Sequence, residues 1–164
     1  MLRKFSWVVA LFFAATLTAN AQSVNLFGGY SYERFRATPS VNTNGYEFSG
    51  EYKFMPWLGA MADFDGHYGS FGGVGFGVHD FLFGPQVSFP ARISPFAHVL
   101  LGGAHFSSNG SGATSFSQGF GFGVDSKIAP ALAWRLIQLD YIHTHFGNAT
   151  QNNVRISTGI VIHF

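Results

Sequence analysis

The final eleven residues, Val154 to Phe164, alternate apolar and polar side chains and stop on an aromatic residue. Neighbouring side chains on a β-strand face opposite ways, so Val154, Ile156, Thr158, Ile160, Ile162 and Phe164 form one row. Arg155, Ser157, Gly159, Val161 and His163 form the other. A helix would mix the two sets. A strand of this kind suits the wall of a closed sheet that meets lipid outside and encloses a polar interior.

The rest of the chain is built to the same rule. Charged residues make up 10% of the 164 residues, against about 25% in an ordinary soluble domain. Hydrophobic content is 47% and aromatic content 18%. Yet beyond the amino-terminal stretch no apolar run nears the ~20 residues that a spanning helix needs. The apolar residues are dispersed by alternation instead.

The amino-terminus reads as an export signal. Arg3 and Lys4 precede an apolar stretch from Phe5 to Leu17, and Ala19-Asn20-Ala21 supplies a small-x-small cleavage site. Residues 1–21 are therefore expected to be a signal peptide and 22–164 the mature domain. The alternative, an uncleaved anchor, is disfavoured by the short apolar stretch. Cleavage leaves about seven basic residues against the eight acidic ones, near neutrality, so no basic surface points to nucleic acid. Absence of cysteine removes disulfide and thiol chemistry.

Two kinds of turn signal alternate. Short ones carry proline: Met55-Pro56-Trp57, Pro90 to Pro95 and Ala129-Pro130-Ala131. Longer ones are rich in Gly, Ser, Asn and Thr: Arg36 to Asn44, Gly69 to Gly75, Ser107 to Ser115 and Phe146 to Asn153. They divide the chain into strands at about Val24–Phe35, Gly45–Phe54, Leu58–Tyr68, Phe76–Phe89, Phe96–Phe106, Phe116–Lys127, Leu132–His145 and Val154–Phe164. The expected fold is all-β, an eight-stranded antiparallel up-and-down transmembrane β-barrel with both termini on the periplasmic side.

With each strand's more apolar row turned to lipid, Glu33, Glu47, Glu51, Asp63, Asp65, Asp80, Asp125 and Asp140 all land on the inward row. They are all the acidic residues of the chain. Lys53, Lys127 and Arg155 join them. Charges in a lipid-walled interior must pair or hydrogen-bond, so an interior ion-pair network is expected. Because eight strands enclose little more than side-chain volume, a plugged lumen is expected rather than a wide pore.

Glycines cluster within strands, as in Gly119-Phe120-Gly121-Phe122-Gly123, small inside and large outside. Trp57, Trp134, Tyr68 and Tyr141 fall near strand ends, where aromatic girdles form. Three positions resist the pattern. Trp134 points inward by parity unless a bulge intervenes, Pro85 in the fourth strand predicts a bulge, and Arg135 falls on the lipid row, from which it would snorkel to headgroups.

The strings LFGGYSY from Leu26, ADFDGHYGS from Ala62, FLFGP from Phe81, PFAHVLLGGAHFS from Pro95 and LDY from Leu139, with the Phe164 terminus, resemble the OmpA-like outer-membrane β-barrel family, especially its short stand-alone members. The resemblance spans essentially the whole mature chain. It implies residence in the bacterial outer membrane among lipid and lipopolysaccharide, insertion by the barrel assembly machinery with Phe164 as the terminal signal, and no enzymatic activity. Long members append a peptidoglycan-binding domain, whereas this sequence ends on the barrel, so cell-wall tethering is not carried over.

Few residues invite chemistry. His67, His79, His105, His143 and His145 fall near the extracellular strand ends, and His143 and His145 share a face. A lone His-x-His falls short of the about four ligands of a structural site, and only His67 of the five points inward, so no metal site is expected. Asp63, Asp65 and His67 share a face but are expected there as inward polar packing. A lipid hydrolase would have to draw on His105, Ser107, Ser108 and Asp80, which no spacing selects. No helix follows the glycine strings to make a phosphate loop, so no cofactor is expected. The sequence thus predicts a monomeric barrel with a structural or surface-interaction role, with a narrow solute channel, a lipid-modifying enzyme and a soluble lipocalin-type barrel as rivals.

Overall fold

In the computed structural model, residues 23–35, 40–108, 111–146 and 149–164 are described. The expected signal peptide lies outside them. Eight strands follow in order: β1 (Ser23–Phe35), β2 (Val41–Met55), β3 (Leu58–Phe71), β4 (Val74–Ser88), β5 (Ile93–Ser108), β6 (Ser111–Ala129), β7 (Leu132–Phe146) and β8 (Ala149–His163). Each pairs antiparallel with the next, and β8 returns to β1 to close the barrel. At the seam Phe164 N–H donates to Val24 O at 2.9 Å, which ties the terminal residue to the first strand. Closure leaves no edge of unpaired backbone groups, a condition for any sheet that crosses lipid.

The strands run from 13 residues in β1 to 19 in β6, beyond the ~9 to 11 needed to cross hydrocarbon at a tilt. The excess lies mostly at the end opposite the termini. Stretches expected as long loops belong largely to the wall: Val41–Asn44 to β2, Ser107 and Ser108 to β5, Ser111–Ser115 to β6 and Thr150–Asn153 to β8. Their Gly, Ser, Thr and Asn content reflects water on the barrel's rim rather than irregular backbone. The β3–β4 connection shrinks to Gly72-Gly73, with φ of 58° and 82°, the left-handed pair that a two-residue hairpin turn requires.

Alternation sets the faces. Leu26, Phe48, Phe81, Phe83, Leu101, Phe120, Phe122, Ile156 and Ile160 are exposed on the outer surface. Of the carboxylates, Glu33, Glu47, Glu51, Asp63, Asp65, Asp80 and Asp140 are buried in the lumen, and Asp125 is half-buried there. Trp57 and Tyr68 are exposed near strand ends, as girdle residues would be, whereas Tyr141 is exposed further along the wall, within β7.

The three irregular positions resolve differently. In β7 the register shifts between Arg135 and Gln138, and β6 shifts opposite it between Val124 and Asp125. Leu136 and Ile137 both face outward, so the parity of the segment before them is reversed. Trp134 therefore points outward and donates from Nε1 to Thr158 Oγ1 at 3.1 Å. Arg135, expected to snorkel to headgroups, is instead buried in the lumen. At Pro85 no bulge forms. Gly84 and Pro85 merely lack partners on β5, while the register on both sides of the gap is the same. The pyrrolidine faces outward, and the missing donor interrupts the ladder without re-aiming it.

The lumen is not wholly ionic. Met61, Leu82 and Leu100, from β3, β4 and β5, form an apolar cluster, and Phe27, Ala133 and Val161 form another nearer the termini. The charged and polar groups occupy much of the space between them.

Candidate functional site

Register decides which charges meet. β8 sets Arg155 opposite Glu33 of β1 and Asp140 of β7. β3 sets Asp65 opposite Glu47 of β2 and Asp80 of β4. Three carboxylates thus occupy neighbouring register positions, an arrangement that costs stability unless a cation answers it.

Arg155 answers much of it. Its guanidinium, fully buried, lies 2.6 Å from Asp63 Oδ2 through Nη2, 2.9 Å from Asp140 Oδ2 through Nε and 3.6 Å from Glu47 Oε2, and also bonds Asp65. A planar fork with five donors can reach several carboxylates at once, which a lysine could not do. Gln138 then donates from Nε2 to Glu47 Oε1 and Asp140 Oδ2, both at 2.8 Å. His98 meets Asp140 Oδ1 at 2.7 Å and Gln86 Oε1 at 3.3 Å. Gly121 makes this last cluster possible, since a Cβ there would fall 1.8 Å from Asp140 Oδ1 and 2.3 Å from His98 Nε2.

The network continues toward the termini. Arg135 Nη1 donates to Gln138 Oε1 at 2.6 Å, and its Nε and Nη2 grip Asp125 at 2.8 and 3.1 Å. The same guanidinium lies between the rings of Phe27 and Phe96, 4.3 and 4.2 Å from their centroids. At the barrel mouth Asn25 donates to Glu51 at 2.7 Å, while Lys53 sits 3.9 Å from Glu51 and donates to Ser88 at 2.7 Å. Lys127, expected inside, is exposed at the rim of that mouth.

Carboxyl groups outnumber guanidinium groups in the central section. Glu33, Glu47, Asp63, Asp65, Asp80 and Asp140 are buried there with one guanidinium, that of Arg155. Several oxygens accept no hydrogen bond: both of Glu33, Asp63 Oδ1 and Asp80 Oδ1.

Two cavities flank this section. One of about 370 Å³ opens at the terminal end, lined among others by Glu51, Lys53, Asp125 and Lys127. One of about 190 Å³ lies at the other end, walled by Phe35, Phe76, Val78 and Phe106 with Asp80, Thr144 and Asn153 contributing polar groups.

Among the histidines, His67 alone of the five noted in the sequence is fully buried in the lumen. The rings of His143 and His145 meet edge to face with centroids 5.0 Å apart, and His105 is exposed and bonded to Thr114 at 2.9 Å. The candidate hydrolase residues are not assembled. His105 faces outward, Asp80 faces the lumen, and Ser107 and Ser108 bond strand carbonyls. Sequence reasoning missed His98, Gln138 and Arg135. For His98 and Gln138 the signal was present, because His98 lies on the inward row with Phe96 and Leu100 and Gln138 on that of Asp140; for Arg135 the β7 shift concealed it.

No protein-family model matches the chain, and no curated protein matches it. Solved structures do. Neisserial surface protein A is 15% identical, with a TM-score of 0.71 over 86% of this chain and 97% of that one. OprG from Pseudomonas aeruginosa is 10% identical, with a TM-score of 0.64 over 88% and 96%. Ail, the attachment invasion locus protein of Yersinia pestis, is 18% identical, with a TM-score of 0.61 over 87% and 99%. This chain has the fold of these small bacterial outer-membrane barrels, which agrees with its resemblance to the OmpA-like family.

Proposed function

From that fold, we propose that the protein is an integral barrel of the bacterial outer membrane whose lumen is plugged and whose role is structural or one of surface interaction. The observation that carries this reading is the Arg155 hub. One buried guanidinium from β8 holds carboxylates of β2, β3 and β7, tying strands on different sides of the barrel across its interior. Beside it Met61, Leu82 and Leu100 fill the lumen with hydrocarbon. A barrel cross-linked in this way is a rigid post in the membrane.

The outer row of aromatic and aliphatic side chains supplies the lipid contact, and the extended strand ends opposite the termini form the surface offered to partners. Lipid and lipopolysaccharide are its surroundings. Phe164 serves as the signal for the barrel assembly machinery, a reading its exposure beside the β1–β8 seam supports. The barrel works as a monomer, since closure leaves no strand edge for a second copy to extend. No reaction is assigned to it.

Planar-bilayer recording from refolded protein tests the plug. Electrical silence supports it, whereas steady single-channel steps would replace it with the narrow-channel reading. Recovery from the soluble periplasmic fraction would overturn the membrane assignment.

A further inference from the structure

Glu33 of β1 and Asp65 and His67 of β3 meet across β2, and each can direct one ligand atom into a space where these atoms lie within 4.8 Å of one another. The approach depends on the strand between them. Gly45 is paired with Ser31 on one side and His67 on the other, and a Cβ on it would fall 1.9 Å from Gly66 O. With glycine there, no β2 side chain separates the two groups at that level.

The three residues form an unusual centre. His67 Nδ1 lies 3.1 Å from both Glu33 Oε2 and Asp65 Oδ1, and all three side chains are fully buried. Neither oxygen of Glu33 accepts a hydrogen bond. On the far side of the ring, Nε2 lies 3.0 Å from Ser31 Oγ, Ser31 lies 3.0 Å from Ser157 Oγ, and Ser157 bonds Glu47. Nε2 is thereby held by the Ser31–Ser157–Glu47 chain, while Nδ1 lies within hydrogen-bond distance of Asp65 Oδ1, so any proton on Nδ1 must leave before the ring can act as a ligand there.

Both oxygens of Glu33 are buried without a hydrogen-bond partner, so a positive centre beside them would answer their charge. Arg155 cannot provide it, being engaged by Asp63, Asp65 and Asp140 on its own side. At the tetrahedral angle two ligand atoms, each ~2.0 to 2.2 Å from a Zn²⁺ ion, stand roughly 3.3 to 3.6 Å apart, so the 3.1 Å separations need open only slightly to admit one. We propose that Glu33, Asp65 and His67 form a lumenal site for one divalent transition-metal ion of the Zn²⁺ or Mn²⁺ type.

One imidazole with two carboxylates suits such ions better than Mg²⁺ or Ca²⁺, which favour oxygen donors throughout. The Ser31–Ser157–Glu47 chain is the outer support that orients a histidine ligand. Asp80, beside Asp65 in register, lines the smaller cavity and carries an unpartnered oxygen, which gives the ion an acidic approach from the end opposite the termini. The bound ion offsets the excess of buried carboxylates and braces β1 against β3. This inference needs only the lumen geometry and is independent of any surface role.

The test is calorimetric titration of Zn²⁺ into chelator-stripped barrel refolded in detergent. One saturable equivalent is expected, unaffected by millimolar Mg²⁺. His67→Gln and Glu33→Gln should each weaken it by about tenfold or more, while the His143→Gln/His145→Gln pair should leave it unchanged. No saturable binding, or binding lost in the rim pair and kept in His67→Gln, overturns the proposal. A second measurement on the unaltered protein needs no variant to fold: Co²⁺ should broaden the ring resonances of His67. Broadening confined to His105, His143 and His145 refutes the site.

Discussion

Replacing Arg155 with methionine removes the cation and keeps a side chain that can occupy part of the space. In the native protein the guanidinium contacts Asp63 and Asp140 at 2.6 and 2.9 Å, bonds Asp65 and stands 3.6 Å from Glu47. At an effective dielectric of 20 each unit-charge pair near 4 Å is worth about 4 kcal/mol before desolvation. Burial of the ions costs several kcal/mol apiece and cancels most of this, so the pairs give little net stability while intact. Removing one partner is different, because the carboxylates stay buried without it. The expected loss is about 3 to 5 kcal/mol. Urea unfolding from lipid vesicles, followed by the emission of the outward-facing Trp57 and Trp134, measures it. Asp63→Asn in the Arg155→Met background should restore part of the loss, since one unanswered charge is then gone. A loss below about 1 kcal/mol, or no recovery in the double variant, would refute the hub as the organiser of the lumen.

Other outcomes follow from single contacts. Arg135→Met should destabilise the barrel by about 2 to 3 kcal/mol, through the lost Asp125 fork and ring contacts, irrespective of lipid headgroup; a negligible, headgroup-dependent effect in the same urea assay would return Arg135 to the lipid face. Gly121→Ala drives a methyl into the Asp140–His98 pair and should cost about 1 to 3 kcal/mol, whereas no change would mean that the pair is not fixed. Gly72→Ala meets no atom within 4 Å but must hold φ at 58°, so a loss of about 1 to 2 kcal/mol would isolate backbone strain from contact. Phe164→Ala should slow insertion by reconstituted assembly machinery yet shift equilibrium stability by less than about 0.5 kcal/mol, as for other exposed positions; equal insertion rates would remove it as the signal.

What the sequence by itself determined was everything that depends on a period of two. In β2, Glu47, Ser49 and Glu51 alternate with Phe48 and Tyr52, and this alternation alone separates lumen from lipid because a side chain's face is a local property of an extended backbone. The strand count followed from the two kinds of turn signal that divide the chain. The tertiary structure decided what depends on register and closure. A two-residue irregularity at Leu136 and Ile137 exchanged the faces of Trp134 and Arg135, and no one-dimensional pattern marks such a shift in advance. Rim segments rich in Ser, Asn and Gly joined the wall because neighbouring strands were there to accept their backbone hydrogen bonds. The grouping of Glu33 with His67, and of Arg155 with Asp63 some ninety positions away in the chain, exists only once the sheet closes, since the lumen converts positions distant along the chain into neighbours across a few ångströms.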